Sequence, residues 1–245
     1  MLEGLKAAAT GMTAQRQRMD ALSNDIANVN TTGYKHERVA FGDLVSSSPG
    51  RGGAQAVRAG AGVAAESAGR GTVQGVLRRT DEPLDVAITG DGYLQVKLPD
   101  GRTGLTRDGA LHADARGRLT TSSGALLQPP ITLPQGMTTS ELKINTDGTL
   151  FRGDTPIGRM TLVSVAAPSQ LDDAGNGVYT TNAGSGPPRV AGTDTLLYQG
   201  VLEASNVDIG DAMVDLMDAQ RSFQMASQAV KTQDQMLSIA NGLKQ

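Results

Sequence analysis

The sequence predicts an α+β fold in which N- and C-terminal coiled-coil-type helices pack together around an inserted all-β domain. Two observations carry this prediction. Apolar residues recur at heptad spacing at both ends of the chain, and the middle contains short alternating stretches separated by Asp-Gly pairs. With 245 residues and no Cys, the chain is long enough to bury a core without disulfides.

Both terminal segments carry one narrow apolar stripe in steps of three and four residues. The first stripe comprises Leu5, Ala8, Met12, Gln15, Met19, Leu22, Ile26 and Val29. The second comprises Ala212, Leu216, Ala219, Phe223, Ala226, Val230, Gln233, Leu237 and Ala240. Such a helix is unstable until a partner covers its stripe. The rest of the chain is predicted to form strands, so only two helices are present and they cannot cover both stripes by themselves. We therefore expect contacts between subunits. The predicted assembly interface comprises Leu5, Met12, Met19, Leu22, Ile26, Leu216, Phe223, Val230 and Leu237.

The chain divides into four predicted regions. Residues 1–42 form the N-terminal helix and its exit segment, which pairs with the C-terminal helix of residues 203–245. Residues 43–82 form a linker, and residues 83–202 form the all-β domain with a return segment. The Gly-, Ser- and Ala-rich composition of residues 46–75 predicts an adaptable loop. Hairpin-type turns are predicted at Asp91-Gly92, Asp100-Gly101, Asp108-Gly109 and Asp147-Gly148.

Composition and motifs exclude several functions. A net charge of -3 with scattered basic residues argues against nucleic-acid binding. No apolar run is long enough for direct membrane insertion, and the N-terminus lacks a cleavable signal. His36 and His112 have no partners that would make a catalytic relay or a metal site. We therefore predict no catalytic residues, no metal and no cofactor.

A helix-closing motif follows the first stripe. Asn28 and Asn30 tolerate the left-handed conformation and Gly33 favours it, so this block ends the helix and fixes the direction of the exit. At the other end, Asn206 or Asp208 is a candidate N-cap for the last helix. The motif consists of Asn24, Ala27, Asn28, Val29, Asn30, Thr31, Gly33, Tyr34 and Lys35.

This motif, together with residues 197–208 near the C-terminus, resembles the end signatures of the bacterial flagellar basal-body rod and hook family. Residues 128–134 and 196–200 resemble its distal rod members most. The resemblance implies a structural subunit that polymerises into a helical, torque-transmitting tube. It implies as partners further copies of the chain, other rod subunits, hook and ring proteins, and the flagellar export apparatus. The location implied is the rod that crosses the periplasm, reached without a cleavable signal.

Other interpretations stay open from the residues alone. Within the same family, the chain could be a proximal rod or short hook-like subunit. From other classes, it could be a cell-wall hydrolase that uses Asp108 and Asp114 as a carboxylate pair, or a secreted β-domain binding module. The hydrolase needs both carboxylates in a cleft. We expect Asp108 and Asp114 to be turn residues instead, since Asp is common in tight turns.

Overall fold

The computed structural model describes residues 2–47, 58–134, 141–192 and 194–242. The chain forms two compact units. The helical unit comprises Met1–Ala27, Glu37–Ala68 and Asp208–Gln245, and the β unit comprises Asn28–His36 and Gly69–Val207. The predicted boundaries at 42, 82 and 202 do not coincide with the bounds of these units and stay predictions of domain organisation.

Two long helices dominate the helical unit. Helix α1 spans Leu2–Ala27, helix α2 spans Ile209–Gly242, and the two pack against each other, as the sequence predicted. Asp208 caps α2, because its Oδ1 accepts hydrogen bonds from the backbone N–H groups of Gly210 at 2.8 Å and Asp211 at 3.2 Å. Of the two cap candidates, Asp208 is therefore the correct one.

A two-stranded sheet completes the helical unit. Strand β1 spans Glu37–Ser47 and pairs with β2, which spans Arg58–Arg70. Residues 48–57 of the predicted adaptable loop lie outside the described residues, and the linker of residues 43–82 stays a prediction, but the prediction of a loop is wrong for β2. Its sequence is mostly Gly and Ala, which predicts a loop by composition, but a β-ladder is held by backbone hydrogen bonds that these residues also provide.

The β unit contains short strands throughout its described residues. They are β3 (Leu77–Arg79), β4 (Val86–Thr89), β5 (Tyr93–Lys97), β6 (Thr103–Thr106), β7 (Leu111–Ala113), β8 (Leu119–Thr121), β9 (Leu126–Gln128), β10 (Leu142–Ile144), β11 (Thr149–Arg152), β12 (Thr155–Arg159), β13 (Leu162–Ser164), β14 (Asp172–Gly175), β15 (Val178–Thr180), β16 (Arg189–Val190), β17 (Leu196–Gln199) and β18 (Val201–Glu203). A short 3-10 helix spans Pro168–Gln170. The inserted all-β domain is confirmed.

The main sheet has the described strands in the order β14-β15-β6-β5-β9-β8-β7, with β13 joining β5 to β16. Smaller sheets are β10-β11-β12, β17-β4 and β18-β3. The last two pair the chain beyond residue 195 with strands that precede the main sheet. The core contains fully buried Val86, Leu94, Val96, Leu127 and Leu150, each at most 1% exposed.

Two of the four predicted hairpin turns exist. Asp100-Gly101 joins the antiparallel pair β5-β6, and Asp147-Gly148 joins β10-β11. The prediction is wrong at Asp91-Gly92 and Asp108-Gly109, because the strands that flank these pairs are not partners. Strand β4 pairs with β17, and β7 pairs with β8. Long-range pairing therefore overrides the local Asp-Gly signal at both places.

Candidate functional site

The predicted stripes meet within one chain. Arg18 Nη2 lies 2.7 Å from Asp215 Oδ1, and a Cβ built on Gly4 would lie 3.5 Å from Gln233 Oε1. Because the residue nearer the start of α1 lies beside the residue nearer the end of α2, the helices run antiparallel. The stripe predicted to pack against neighbouring subunits thus has a first partner in the other terminal helix.

The structure places the predicted interface residues at half-buried positions. This holds for Leu5, Met12, Met19, Leu22, Ile26, Leu216, Phe223 and Val230. The side chain of Leu237 lies outside the described residues. Within the described helical unit, the only apolar side chains that are fully buried are Ala14, Ala212 and Ala219. Small residues allow close approach of the helices but leave the larger side chains of the two heptad stripes incompletely covered.

Helix α2 also exposes large apolar side chains on the face away from its heptad stripe, among polar residues such as Arg221, Gln224 and Gln228. At 100° per residue, Met217 lies about 150° around the helix from Ala212 and Ala219, and Met213 and Met225 lie about 100–140° from them. Each of the three methionines is at least half exposed. Val214, Met236 and Ile239 share this exposed face. Exposed large apolar side chains that cluster on one element are typical of a surface that takes part in binding. The sequence-based prediction missed this face, because a search for heptad spacing finds only the most regular apolar stripe of a helix.

From Asn28 onwards, the helix-closing motif belongs to the β unit. Gly33 has a φ of +66°, and a Cβ at this position would lie 2.6 Å from the backbone of Arg107. Only glycine fits both the left-handed conformation and this close approach. Asn28 and Asn30 are not among the described residues with positive φ, so Gly33 alone makes the left-handed turn. Its N–H donates to the carbonyl of Glu203 at 2.8 Å.

Thr32 connects the motif to Asp108. Its Oγ1 donates to Asp108 Oδ1 at 2.5 Å, and Ser122 Oγ donates to Asp108 Oδ2 at 2.6 Å. The backbone N–H of Ala110 donates to the same carboxylate at 3.1 Å, and Asp108 is only 5% exposed. The expectation that Asp108 is a simple turn residue is therefore wrong. It is a buried acceptor that holds the motif on the β unit.

Lys35 ends the motif in a buried ion cluster. Its Nζ donates to Glu203 Oε1 and, at 2.7 Å, to the carbonyl of Val73. Arg107 Nη1 donates to Glu203 Oε2 at 3.2 Å, and the side chains of Lys35, Arg107 and Glu203 are all at most 4% exposed. The N–H of Gly75 donates to Glu203 Oε1 at 2.9 Å. One carboxylate thus joins two buried cations from distant parts of the chain.

The electrostatics of the cluster follow from its burial. Desolvation lowers the pKa of Lys35 below its usual value; the hydrogen bond and charge of Glu203 oppose this shift, and the charge of Arg107 adds to it. The guanidinium of Arg107 also lies 5.2 Å from the ring centroid of Tyr93 and donates to the carbonyl of Gly90 at 2.6 Å. Each charge has several partners, which a buried charge requires.

Tyr34 of the motif and the next-but-one residue, His36, bind Asn206 of the C-terminal signature. The backbone N–H of Asn206 donates to the carbonyl of Tyr34 at 3.2 Å, and Asn206 Oδ1 accepts from the N–H of His36 at 2.8 Å. Arg70 Nη1 donates to the carbonyl of Lys35 at 3.0 Å, with its guanidinium 5.6 Å from the ring centroid of Tyr34. Asn206 thus holds the exit from α1 instead of capping α2.

The residues considered for catalysis or metal binding, Asp114, His36 and His112, either make structural hydrogen bonds or lie exposed on a strand. Asp114 accepts from the N–H of Arg118 at 2.8 Å in the turn between β7 and β8, and this bond lowers the pKa of Asp114. His36 contacts Asn206, and His112 lies exposed on β7. In the described part of the chain, acidic, His and Cys side chains form no group that could hold a metal. Neither described helix contains a stretch apolar enough to cross a lipid bilayer.

Known families match three parts of the chain. "Flagella basal body rod protein" matches residues 5–35, "Flagellar hook protein FlgE/F/G D1 domain" matches 87–151, and "Flagellar basal body rod FlgEFG protein C-terminal" matches 198–243. Lys35, Arg107 and Glu203 each fall in a different one of these regions. The buried ion cluster therefore joins all three.

Full-length relatives share about a third of their residues with this chain. It is 35% identical to "Flagellar basal-body rod protein FlgG" of Borreliella burgdorferi, with 100% of this chain and 99% of that protein covered. The same identity relates it to the FlgG protein of Caulobacter vibrioides, over 99% of this chain and 100% of that protein. "Flagellar hook-basal body complex protein FlhP" of Bacillus subtilis is 31% identical over the whole of both chains.

Proposed function

The chain belongs to the flagellar basal-body rod protein family, and from that premise we propose that it is the subunit of the distal rod, polymerising through its terminal helices into a helical tube that transmits torque. Family membership makes it a structural rod protein without enzymatic activity and a homologue of FlgG. The proposal concerns its place in the rod and the way in which it assembles.

The placement in the distal rod is supported by the full-length FlgG relatives. They match over 97–100% of this chain, so the likeness includes the β unit as well as the terminal signatures. A proximal rod or short hook-like subunit is the alternative within the family, and the FlhP relative of Bacillus subtilis keeps it open. The hydrolase alternative needs a carboxylate free for chemistry, whereas Asp108 and Asp114 are each engaged in structural hydrogen bonds.

The exposed apolar side chains of α2 are the observation that most directly supports polymerisation of the subunit. Met213, Met217 and Met225 are 51%, 50% and 66% exposed, although the same helix has a seam against α1. Large apolar side chains that stay exposed beside a packed stripe are typical of a helix that contacts a further molecule. Neighbouring subunits in a tube would supply the second cover. The half-buried seam residues, including Met19 and Phe223, would lie in the same packed wall.

Further partners follow from this role. We place the subunit in the rod that crosses the periplasm, in contact with other rod subunits, the hook and the ring proteins. Delivery through the flagellar export apparatus is consistent with a chain that contains no Cys, since passage through an oxidising compartment then carries no risk of mispaired disulfides.

Electron microscopy of the purified full-length chain at rising concentration tests the proposal. We expect straight tubes above a critical concentration. Leu216→Asp and Phe223→Asp should abolish tubes, because each buries a carboxylate without a partner in the helix packing. Arg116→Asp, in an exposed turn of the β unit, is the control and should assemble normally. Absence of tubes from the parent chain at every concentration would contradict the proposal.

A further inference from the structure

A groove runs along α1 beside strand β2 in the helical unit. Its first part has a volume of about 360 Å³ and is lined by small side chains, including Ala9, Thr13, Ala14 and Ala64. Its second part, of about 350 Å³, continues from the first because Gln17 and Ala65 line both. Along α1 the groove extends from Ala9 to Asn24, which is about 22 Å of helix.

The two parts of the groove differ in charge. The first part contains no charged lining residue, whereas the second is lined by Asp20, Glu37 and Glu66. Asp20 and Glu66 are exposed and Glu37 is half-buried. The groove therefore offers an apolar floor of small residues that leads to three carboxylates.

The methionine ridge on α2 has the complementary pattern. We define it as Met213, Met217, Arg221 and Met225, which follow one another at four-residue spacing and are all exposed. The ridge is about 18 Å long, comparable with the groove. Methionine side chains are unbranched and flexible, so they fit grooves lined by alanine. The ridge places one cation between apolar residues.

We propose that the methionine ridge of one subunit occupies the α1–β2 groove of a second copy of this chain, with Met213 and Met217 on the alanine floor and Arg221 between Asp20, Glu37 and Glu66. This inference rests on the proposed function, because it names the contact through which the subunits assemble. Arg221 is the residue of the ridge that complements the carboxylates at one end of the groove, whereas the exposed Asp218, one turn earlier on α2, lies beside the ridge and outside the contact.

The geometry of this contact makes an open polymer. The ridge and the groove are different surfaces of one subunit, so each chain can give its ridge to one neighbour and receive the ridge of another. Such a heterologous contact repeats without limit unless its rotation closes a ring. A two-fold symmetric contact would instead stop at a dimer.

Two variants separate the two surfaces. Arg221→Glu places a fourth carboxylate against the acidic end of the groove and disables the ridge, but leaves the groove intact. Ala64→Trp fills the groove and leaves the ridge intact. Each variant alone should stay monomeric at about ten times the critical concentration of the parent, a change equivalent to about 1.4 kcal/mol. Lys231→Glu, the same charge change further along α2, should polymerise like the parent.

An equimolar mixture of Arg221→Glu and Ala64→Trp gives the decisive result. The intact ridge of the second variant can enter the intact groove of the first, and no further subunit can add. Native mass spectrometry should therefore show a one-to-one heterodimer. Long polymers or only monomers in the mixture would overturn the inference. If circular dichroism shows that Ala64→Trp is unfolded, Ala9→Trp replaces it, because Ala9 is exposed in the groove.

The behaviour of the parent chain distinguishes a failure of the ridge–groove contact from a failure of the proposed function. If the parent forms tubes and Arg221→Glu forms them at the same concentration, the ridge-groove contact is wrong while the proposed function stands. If the parent forms no tubes at any concentration, the proposed function fails first.

Discussion

The β unit fully buries large side chains such as Ile88, Leu94 and Leu150, whereas the fully buried apolar residues described in the helical unit are alanines. The helical unit instead exposes Met213, Met217 and Met225. Burial of one leucine-sized side chain contributes about 2 kcal/mol, and an alanine contributes much less. The comparison teaches that the β unit is stabilised by its own large buried side chains, whereas the helical unit buries little apolar surface by itself and, in our proposal, gains a cover from neighbouring subunits.

Glu203→Gln should destabilise the β unit most. The variant removes the carboxylate that Lys35 and Arg107 share, and it leaves two buried cations without their counter-charge. We expect a loss of about 3–5 kcal/mol in the free energy of unfolding of the β unit, measured by urea denaturation. The exposed Glu82→Gln is the control. A loss below about 1 kcal/mol would show that the cluster does not hold the β unit together.

Gly33→Ala tests the attachment of the helix-closing motif. It introduces a Cβ at positive φ and 2.6 Å from the backbone of Arg107, so we expect a loss of about 3 kcal/mol. Gly101→Ala is the matched control, because Gly101 also has a positive φ, of +88°, but has open space around it. This control should cost about 1 kcal/mol. Equal losses would mean that the close approach to Arg107 is unimportant.

Asp108→Asn should lower stability by about 1–2 kcal/mol, because the hydrogen bonds from Thr32 and Ser122 lose their charged acceptor and one hydroxyl must turn to accept from the new amide. The turn interpretation of the sequence instead predicts no effect. Asp114→Asn, in the turn between β7 and β8, should cause a smaller loss. Thermal unfolding of both variants decides between the two interpretations, and a silent Asp108→Asn would restore the turn assignment.

Tyr179→Phe should reduce the loss of stability that the β unit suffers at alkaline pH. Burial raises the pKa of Tyr179 to about 12 from 10.0, so its contribution to stability is complete below pH 10 and is lost as the pH rises to 12. At pH 11 the parent should have lost about 1.4 kcal/mol that the variant keeps. Urea denaturation at pH 9 and 11 measures the difference, with the exposed Tyr198→Phe as control. Parallel losses in parent and Tyr179→Phe would contradict the assignment.

Local patterns predicted the parts of the fold that local forces determine. Heptad spacing predicted α1 and α2, and the Asn- and Gly-rich motif predicted where α1 ends, because helix formation and termination depend on neighbouring residues. The turns at Asp100-Gly101 and Asp147-Gly148 were also predictable. The pairing of β4 with β17 joins residues more than a hundred positions apart, and no local signal encodes it.

The buried ion cluster was beyond the reach of sequence patterns for the same reason. Lys35, Arg107 and Glu203 are distant in the chain, and charged residues are usually exposed. The available signal was that Lys35 and Glu203 each lie inside one of the two end signatures. The exposed methionines of α2 were missed for another reason. Met213, Met217 and Met225 are spaced by four and eight residues, with Arg221 between them, and the more regular heptad stripe obscured them.

Hydrogen exchange measured by mass spectrometry on the monomer and on the assembled form tests the difference between the units most directly. In the monomer, amides in β5 and β9 should exchange slowly, and amides in α1 and α2 should exchange much faster. On assembly the helical amides should gain the largest protection, with β5 and β9 unchanged. Full protection of both helices in the monomer, with no gain on assembly, would contradict the account.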